Sequence, residues 1–336
     1  MKIAINGFGR IGRLLFRELS DKAEIVAIND LGDIENLAYL LKYDTVYGRY
    51  EKNVDVRDGN LMIEDTSIKV FQVKDPHELP WGELGVDIAV EATGFFESFE
   101  KAKAHIDAGA KRVVITAPAK DADGVEGGKT VLMGVNDEAL KTCLISSNGS
   151  CTTNATSPVM EVLEESLGIE KAMLSTIHGY TATQNLVDGP TRGKDFRRGR
   201  AAGQNIVPSS TGAAIAVARA IPRLEEKFDG IAFRVPVITG SVADITCLTK
   251  RNTTVEEVNA LFRDAAEQSR WKGIFKVSDD QLVSSDIQKD PYGAIVDTQF
   301  TRVVDGNLVK VVSWYDNEWG YVATLVQHIL KAGETF

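Results

Sequence analysis

Residues 2–12 read Lys2-Ile-Ala-Ile-Asn-Gly7-Phe-Gly9-Arg-Ile-Gly12. Lys2 to Asn6 is a short apolar run with the character of a buried strand. Arg10 to Leu19 follows, with Ile11, Leu14, Leu15 and Leu19 at helical spacing. Between them the glycines are spaced G-x-G-x-x-G. Such glycines permit a tight turn, approach of a pyrophosphate to backbone N–H groups, and close packing of helix on strand. Glu24 to Ile28 is the next strand, and Asp30 stands at its end. The glycine pattern alone is weak. Strand, glycines, helix, second strand and terminal acid in that order make a strong dinucleotide signal. The Asp30 carboxylate can accept from both ribose hydroxyls and repels a 2′-phosphate. No Arg or Lys lies in residues 31–36 to neutralise that phosphate, which favours NAD over NADP. The plainer alternative is that Asp30 or Asp33 caps the helix running to Leu41.

Further apolar runs, Asp87 to Ala92, Arg112 to Thr116 and Thr142 to Ser146, are separated by helical stretches. Short strands without alternation, divided by helices, predict a parallel sheet buried on both faces. After about residue 150 the texture changes. Ala172–Ile177, Gly230–Val237, Ser241–Lys250, Phe300–Val304 and Leu308–Trp314 are longer and rich in Val and Thr, with helical stretches at 211–221 and 254–268. This pattern predicts a largely antiparallel sheet with helices on one side. The tail, with Val322, Leu325, Val326, Ile329 and Leu330, is an amphipathic helix ended by Gly333.

The 336 residues fit two domains better than one core. Apolar residues at 43% and charged residues at 26% exclude a disordered chain. The net charge of −10 argues against holding nucleic acid or anionic membrane by bulk charge. Three cysteines without a C-x-x-C pair give no disulfide framework and no zinc cage, so no metal is expected. No apolar run approaches the ~18 residues a membrane helix needs. Met1 runs straight into the strand pattern, which leaves no room for a signal peptide and predicts a reduced, cytoplasmic location.

One cysteine differs from the others. Cys143 and Cys247 lie in strand-like segments and read as small core residues. Cys151 sits in Ser147-Asn-Gly-Ser-Cys-Thr-Thr-Asn154, between a strand and an apolar-periodic stretch containing Val159, Val162, Leu163 and Leu167. A thiol at a helix N-terminus is expected to have a lowered pKa and to be nucleophilic. Pro158 complicates that helix, being comfortable in a first turn and costly deeper in. Of four histidines, His105 and His328 read as residues on solvated helix faces and His77 as part of a Pro-flanked loop. His178 ends a strand and opens the polar segment 179–184, where catalytic groups tend to sit. Spacing alone does not establish contact between Cys151 and His178.

Two anion sites are expected nearby. Ser209-Ser-Thr-Gly-Ala-Ala214 opens an Ala-rich helix, whose free N–H groups and hydroxyls suit an anion as well as an N-cap. Arg234 is a lone charge in the apolar strand Ala232-Phe-Arg-Val-Pro236. Its partner is a substrate phosphate or a structural carboxylate. The run Arg192–Arg200 holds five basic residues and Asp195. It reads as a solvated face or an interface, with only Phe196 to stack on a nucleic-acid base.

Taken together, Ile5–Gly12, Leu41-Lys-Tyr-Asp44, Ser147–Asn154, His178-Gly-Tyr-Thr181, Ser210–Ala214, Arg234-Val-Pro236 and Trp314–Tyr321 resemble the phosphorylating glyceraldehyde-3-phosphate dehydrogenases over essentially the whole chain. The resemblance implies an α/β protein with a Rossmann-type, doubly wound parallel sheet (residues 1–150, with the tail 315–336 returning to it) and an α+β catalytic domain (151–314). It implies oxidation of glyceraldehyde 3-phosphate with NAD and inorganic phosphate to 1,3-bisphosphoglycerate and NADH, a glycolytic and gluconeogenic reaction, in a homotetramer. Cys151 would be the nucleophile and His178 the base and later acid. Arg10, Ile11, Asp30, Lys74, Thr116 and Asn317 would hold NAD, with Asn317 at the nicotinamide amide. Thr181 and Arg234 would hold the substrate's phosphate, and Ser150, Thr152, Arg198, Thr211 and Gly212 the incoming one. Residues 181 to about 203 would form a loop reaching a neighbouring subunit, and Pro190 in it matches the NAD-type pattern.

This chain departs from that pattern in places. Ala155 stands where a second cysteine is common, which leaves the chemistry intact but changes oxidation behaviour. Gly149 and Gly179 replace other small residues. Thr239-Gly240 falls where Asn-Val is usual, with no consequence legible from sequence. Residues 121–129 read as a longer, more polar surface loop. The rival readings are an erythrose-4-phosphate dehydrogenase and a nucleotide- or RNA-binding protein without turnover. The segment 178–184 and the net charge, respectively, weigh against them. A zinc alcohol dehydrogenase fails for want of clustered ligands.

Overall fold

The computed structural model describes residues 1–191 and 193–335; Arg192, which opens the basic run, lies outside them. The chain divides into two compact units. The first holds Met1–Val131, Asp137–Gly149 and the residues from Leu325 on, and the second holds Leu132–Asn136 and Ser150–Thr324.

In the first unit β1 (Lys2–Asn6) leads through the glycine turn into α1 (Arg10–Leu19), β2 (Glu24–Asn29) and α2 (Ile34–Lys42). There follow β3 (Val54–Arg57), β4 (Asn60–Ile63), β5 (Thr66–Phe71), α3 (Trp81–Leu84), β6 (Ile88–Glu91), α4 (Phe99–Ala102), α5 (Ala104–Asp107), β7 (Arg112–Ile115), β8 (Lys129–Thr130) and β9 (Ile145–Ser147). The described residues form one sheet in the order β3-β4-β5-β2-β1-β6-β7-β9-β8. From β5 to β8 every pair is parallel. β6 and β7 are buried along their whole length, which explains why their sequences are apolar without alternation. β1 lies between β2 and β6, so the winding reverses at its carboxyl end, where open α/β sheets take their ligands. The antiparallel edge β3–β4–β5 was not legible in the sequence. Its strands are short, half exposed and charged, with Asp55, Arg57 and Lys69 among their residues.

In the second unit come α6 (Cys151–Ser166), β10 (Ile169–Gly179), β11 (Val207–Ser210), α7 (Ala213–Ala220), β12 (Phe228–Val235), β13 (Ser241–Thr249), α8 (Val255–Ala266), β14 (Phe275–Ser278), β15 (Ala294–Val304) and β16 (Leu308–Tyr315). α9 (Trp319–Gly333) starts here, and its residues from Leu325 belong to the first unit. The sheet order is β11-β12-β10-β13-β16-β15-β14, antiparallel except for β10–β12 and β14–β15. Val159 and Leu163 of α6, Val217 of α7 and Phe262 of α8 share one core with Leu174, Ile245 and Val311 of the sheet. Pro158 lies inside α6, not in its first turn. It forfeits one helical hydrogen bond, and the burial of α6 from Thr152 to Glu164 offsets that loss.

The expectation that His105 and His328 lie on solvated faces is corrected: both are fully buried. α5 is a single turn, too short for a face to be read from its period, and α9 is buried almost all round. His105 Nδ1 accepts from Trp81 Nε1 at 3.0 Å, so its Nε2 donates to Glu91 Oε2 at 3.1 Å. His328 sits 2.7 Å from Ser146 Oγ and 3.2 Å from Asn148 Oδ1, and burial pushes its pKa down to about 4. Residues 121–129 form an exposed turn whose Asp121 accepts the Phe99 and Glu100 N–H groups at the start of α4.

Candidate active site

At the carboxyl ends of β1 and β2 lies a cleft of ≈ 360 Å³, lined by Gly7, Gly9, Asp30, Leu31 and Lys74 of the expected segments. Gly7 has φ +96°, and a Cβ there would lie 2.6 Å from the Ala92 carbonyl carbon. A Cβ on Gly12 would lie 2.1 Å from the Gly7 oxygen. The backbone can pass that closely only without side chains. Gly9 is the N-cap of α1 and offers no side-chain cap, a helix start that suits an anion. The Arg10 guanidinium pairs with Asp44. Asp30 does not cap α2. That place is taken by Asp33, whose carboxylate accepts from Asn36 N at 3.0 Å. Asp30 instead accepts from Phe8 N at 2.7 Å and Gly32 N at 2.8 Å, which hold it at the cleft. Thr116 follows β7, its N–H bonded to the Glu91 carbonyl. Polar amide donors, an uncapped helix start and a fixed carboxylate suit a dinucleotide.

In the second unit the structure brings Cys151 and His178 together: Sγ lies 3.3 Å from Nε2. Cys151 is the first residue of α6. Ser150 caps it, its Oγ accepting from Thr153 N at 3.1 Å while Thr153 Oγ1 accepts from Ser150 N. His178 is nearly at the end of β10, with the Tyr315 ring edge-on at 6.0 Å behind it. The expectation of a lowered thiol pKa is corrected. Burial pushes the Cys151 thiol up, against the opposing charge of Arg234 and hydrogen bonds from Thr152. Burial, and next the Arg234 charge, push His178 down to about 3. Both shifts disfavour the charged form of the group concerned. The helix terminus is too weak to offset desolvation of the sulfur.

The contacts at His178 Nδ1 decide what Nε2 does. The Gly179 carbonyl lies 2.6 Å away and calls for a proton on Nδ1; Arg234 Nη1, also at 2.6 Å, calls for a lone pair. With the proton on Nδ1, Arg234 turns to the same carbonyl, 3.3 Å away, and Nε2 is free to accept from the thiol. With Nδ1 bare, Nε2–H donates to sulfur.

Arg234 faces His178 because β10 and β12 pair in register at those residues. No carboxylate pairs with it among the described residues, so the structural-carboxylate alternative falls away. Burial, with the charge of Arg198, lowers its pKa, while Cys151 and Tyr315 act the other way. Arg198 reaches Ser209 Oγ at 2.7 Å and Thr183 Oγ1 at 3.1 Å, and Thr183 Oγ1 lies 2.9 Å from Thr181 Oγ1. Asp195 approaches Arg198 only at 3.5 Å. Gly212 caps α7 without a side chain, and Thr211 Oγ1 accepts from Ala213 N at 3.2 Å. Two guanidinium groups within electrostatic reach of each other, with hydroxyls beside Arg198, suit a doubly charged anion. Thr152 does not join it by its side chain. Its hydroxyl is buried 2.8 Å from Tyr315 OH, which also meets Thr176 Oγ1 at 2.7 Å.

Asn317 is buried, and its Oδ1 takes a hydrogen bond from Ser241 Oγ at 2.8 Å, with Thr239 Oγ1 3.3 Å away. Sequence reasoning missed Asn6, Asn29, Thr93, Phe95 and Phe96, which also line the cleft. Asn6 and Asn29 carried a signal, since each is a polar residue closing an otherwise apolar strand. Tyr315 behind the thiol–imidazole pair carried none, because a buried aromatic at a strand end reads as core.

Residues 1–99 match a family model described as the glyceraldehyde 3-phosphate dehydrogenase NAD binding domain, and residues 150–317 match the C-terminal domain of the same family. Over 332 residues the chain is 48% identical to a protein named glyceraldehyde-3-phosphate dehydrogenase from Clostridium pasteurianum, covering 97% of this chain and 96% of that one. It is 47% identical to glyceraldehyde-3-phosphate dehydrogenase 1 of Streptomyces avermitilis, covering 100% and 99% of the two chains. It is 48% identical to the protein of that family name from Mycolicibacterium smegmatis, with the same coverage. Glycine turn, thiol–imidazole pair and full-length similarity agree, and the chain belongs to the glyceraldehyde-3-phosphate dehydrogenase family.

Proposed function

We propose that this protein oxidises D-glyceraldehyde 3-phosphate to 1,3-bisphosphoglycerate, using NAD and inorganic phosphate and capturing the aldehyde on Cys151. The observation that carries the reading is the 3.3 Å approach of the Cys151 sulfur to His178 Nε2, with Arg234 beside both.

Gly7, Gly9 and the N–H groups opening α1 hold the cofactor's pyrophosphate, Asp30 its ribose hydroxyls and Asn317 its nicotinamide amide, with Lys74 and Thr116 in the same site. NAD, when bound, supplies the hydride acceptor. Arg234 and Thr181 hold the phosphate already on the substrate. Arg198, Thr211, Ser150 and the N–H groups at Thr152 and Gly212 receive the incoming phosphate. The sulfur adds to the aldehyde carbon as His178 Nε2, 3.3 Å away, takes the thiol proton. The Cys151 N–H, in a helix's first turn where no carbonyl lies one turn back, is a donor for the resulting oxyanion. His178 passes its proton to that oxygen. It then takes the hydroxyl proton back as the carbon is oxidised to a thioester. Phosphate displaces the sulfur, and His178 returns a proton to it.

The enzyme works in this reading as a cytoplasmic homotetramer. Three unpaired thiols suit a reduced compartment. Leu186, Val187, Phe196 and Ile206, all strongly exposed, suit burial against a second copy. No helix among the described residues is long and apolar enough to cross a membrane.

A phosphate-dependent NADH assay with glyceraldehyde 3-phosphate and erythrose 4-phosphate, and with NAD and NADP, tests the assignment. The highest kcat/KM is expected for the triose phosphate with NAD. Higher kcat/KM with the four-carbon aldehyde, or turnover independent of phosphate, would overturn it. Native mass of four chains tests the assembly.

A further inference from the structure

The departure Thr239-Gly240 has a physical role in the second unit. Thr239 is buried, and its hydroxyl faces Asp316 Oδ1 at 2.9 Å and Asn317 Oδ1 at 3.3 Å. Ser241, also buried, accepts the Gly179 N–H at 3.1 Å and donates its own hydrogen to Asn317 Oδ1 at 2.8 Å. The Gly179 N–H occupies a lone pair of Ser241, so the single hydroxyl hydrogen is directed at Asn317. Ser241 thus directs its hydrogen at the Asn317 amide oxygen, while the single Thr239 hydrogen goes to the nearer Asp316 carboxylate beside it. That assigns the oxygen to the interior and leaves Nδ2, which has no partner among the described residues, as the available donor. Asp316 fixes the backbone beside it: Oδ1 accepts from Glu318 N and Trp319 N, and Oδ2 from Lys289 N. Gly240 makes the arrangement possible. Its φ is +86°, and a Cβ there would lie 2.2 Å from the Ser284 carbonyl oxygen. A side chain at 240 would displace the turn that aims Thr239 and Ser241.

We propose that Thr239 and Ser241 are positioning residues for the cofactor: Ser241 holds the Asn317 amide oxygen and Thr239, through Asp316, the backbone that carries it, so that Nδ2 is presented to the nicotinamide carboxamide. The proposal rests on the assignment of Asn317 to the nicotinamide made above. Without the hydroxyls the amide can rotate, its Nδ2 competes for interior partners, and cofactor binding carries the cost of reorienting it.

The test measures KM for NAD and for the aldehyde, with kcat, in Thr239→Val, Thr239→Ser, Ser241→Ala and Asn317→Ala, and in the double variants with Asn317→Ala. Thr239→Val and Ser241→Ala are expected to raise the NAD KM about threefold to tenfold, the range of one hydrogen bond. The aldehyde KM stays put and Thr239→Ser restores NAD binding. In the Asn317→Ala background the second substitution costs nothing further, since its effect passes through the missing amide. Full additivity in the double variants, or equal shifts in both KM values, would overturn the proposal while leaving Asn317 in place. An Asn317→Ala enzyme with unchanged kcat/KM for NAD would overturn the assignment of Asn317 itself, and the proposal with it. Should Thr239→Val fail to fold, Ser241→Ala makes the same comparison.

Discussion

The sulfur of Cys151, first residue of α6, lies 3.3 Å from Nε2 of His178, near the end of β10. Burial pushes the Cys151 thiol up and the His178 imidazole down to about 3. In the proposed reaction the imidazole is the proton acceptor during attack.

Replacing His178 with Asn removes that acceptor. The expected loss in kcat is about 10²- to 10⁴-fold, the usual worth of a general base, with the KM for NAD unchanged. Alkylation of Cys151 by iodoacetamide at pH 7 slows in the same variant. An unchanged kcat would contradict the role.

Replacing Asp30 with Ala removes the carboxylate at the cleft. The KM for NAD is expected to rise about tenfold or more, the scale of hydrogen bonds to a charged group, and the preference over NADP to shrink. Part of the loss reflects the Phe8 and Gly32 N–H groups left without their acceptor. Steady-state kinetics with both cofactors check it, and an unchanged NAD-to-NADP ratio would refute it.

Acid is expected to unfold the protein through its buried histidines. His178 and His328 have folded pKa values of about 3 and about 4, below the unfolded value of about 6.5. Between those limits the unfolded chain binds more protons than the folded one. The stability is thus present above pH ~6.5 and lost as pH falls toward the folded values. Melting temperature should fall from pH 7 to pH 4, and His328→Gln should flatten that slope. A slope unaltered in this variant would count against the account.

Gly240→Val places a branched side chain where φ is +86° and the Ser284 oxygen stands 2.2 Å from the new Cβ. The expected cost is roughly 2 kcal/mol or more, read as a lower urea midpoint. A variant as stable as the parent would show that the turn has room to adjust.

The glycine turn and the parallel centre of the first sheet were readable because one run of eleven residues, 2–12, combines strand, turn and helix signals, and because buried parallel strands are apolar without interruption. The hairpin edge at 54–71 was not, since solvent on one side leaves charged, irregular strands. Asp33 and Asp30 are three residues apart and equally good caps on paper; only coordinates separate the cap from the cleft. Cys151 stood out among three cysteines by its polar neighbours, yet the burial that pushes its thiol up was not legible. Desolvation is set by what packs around the sulfur from distant segments, Arg234 and Tyr315 included, and no local spacing carries that information. Thr239 shows the same limit from the other side: its meaning lies in Asp316 and Asn317, more than seventy residues away.

The central claim is that the oxidised carbon is held on the sulfur of Cys151. Mixing the enzyme with glyceraldehyde 3-phosphate and NAD while omitting phosphate, then quenching in acid, allows the Cys151 peptide to be weighed. The account predicts a burst of about one NADH per chain, in the manner of a trapped covalent intermediate, a 3-phosphoglyceroyl adduct on that peptide, and its disappearance when phosphate is added. A burst without an adduct on Cys151, or an adduct that phosphate leaves in place, would contradict it.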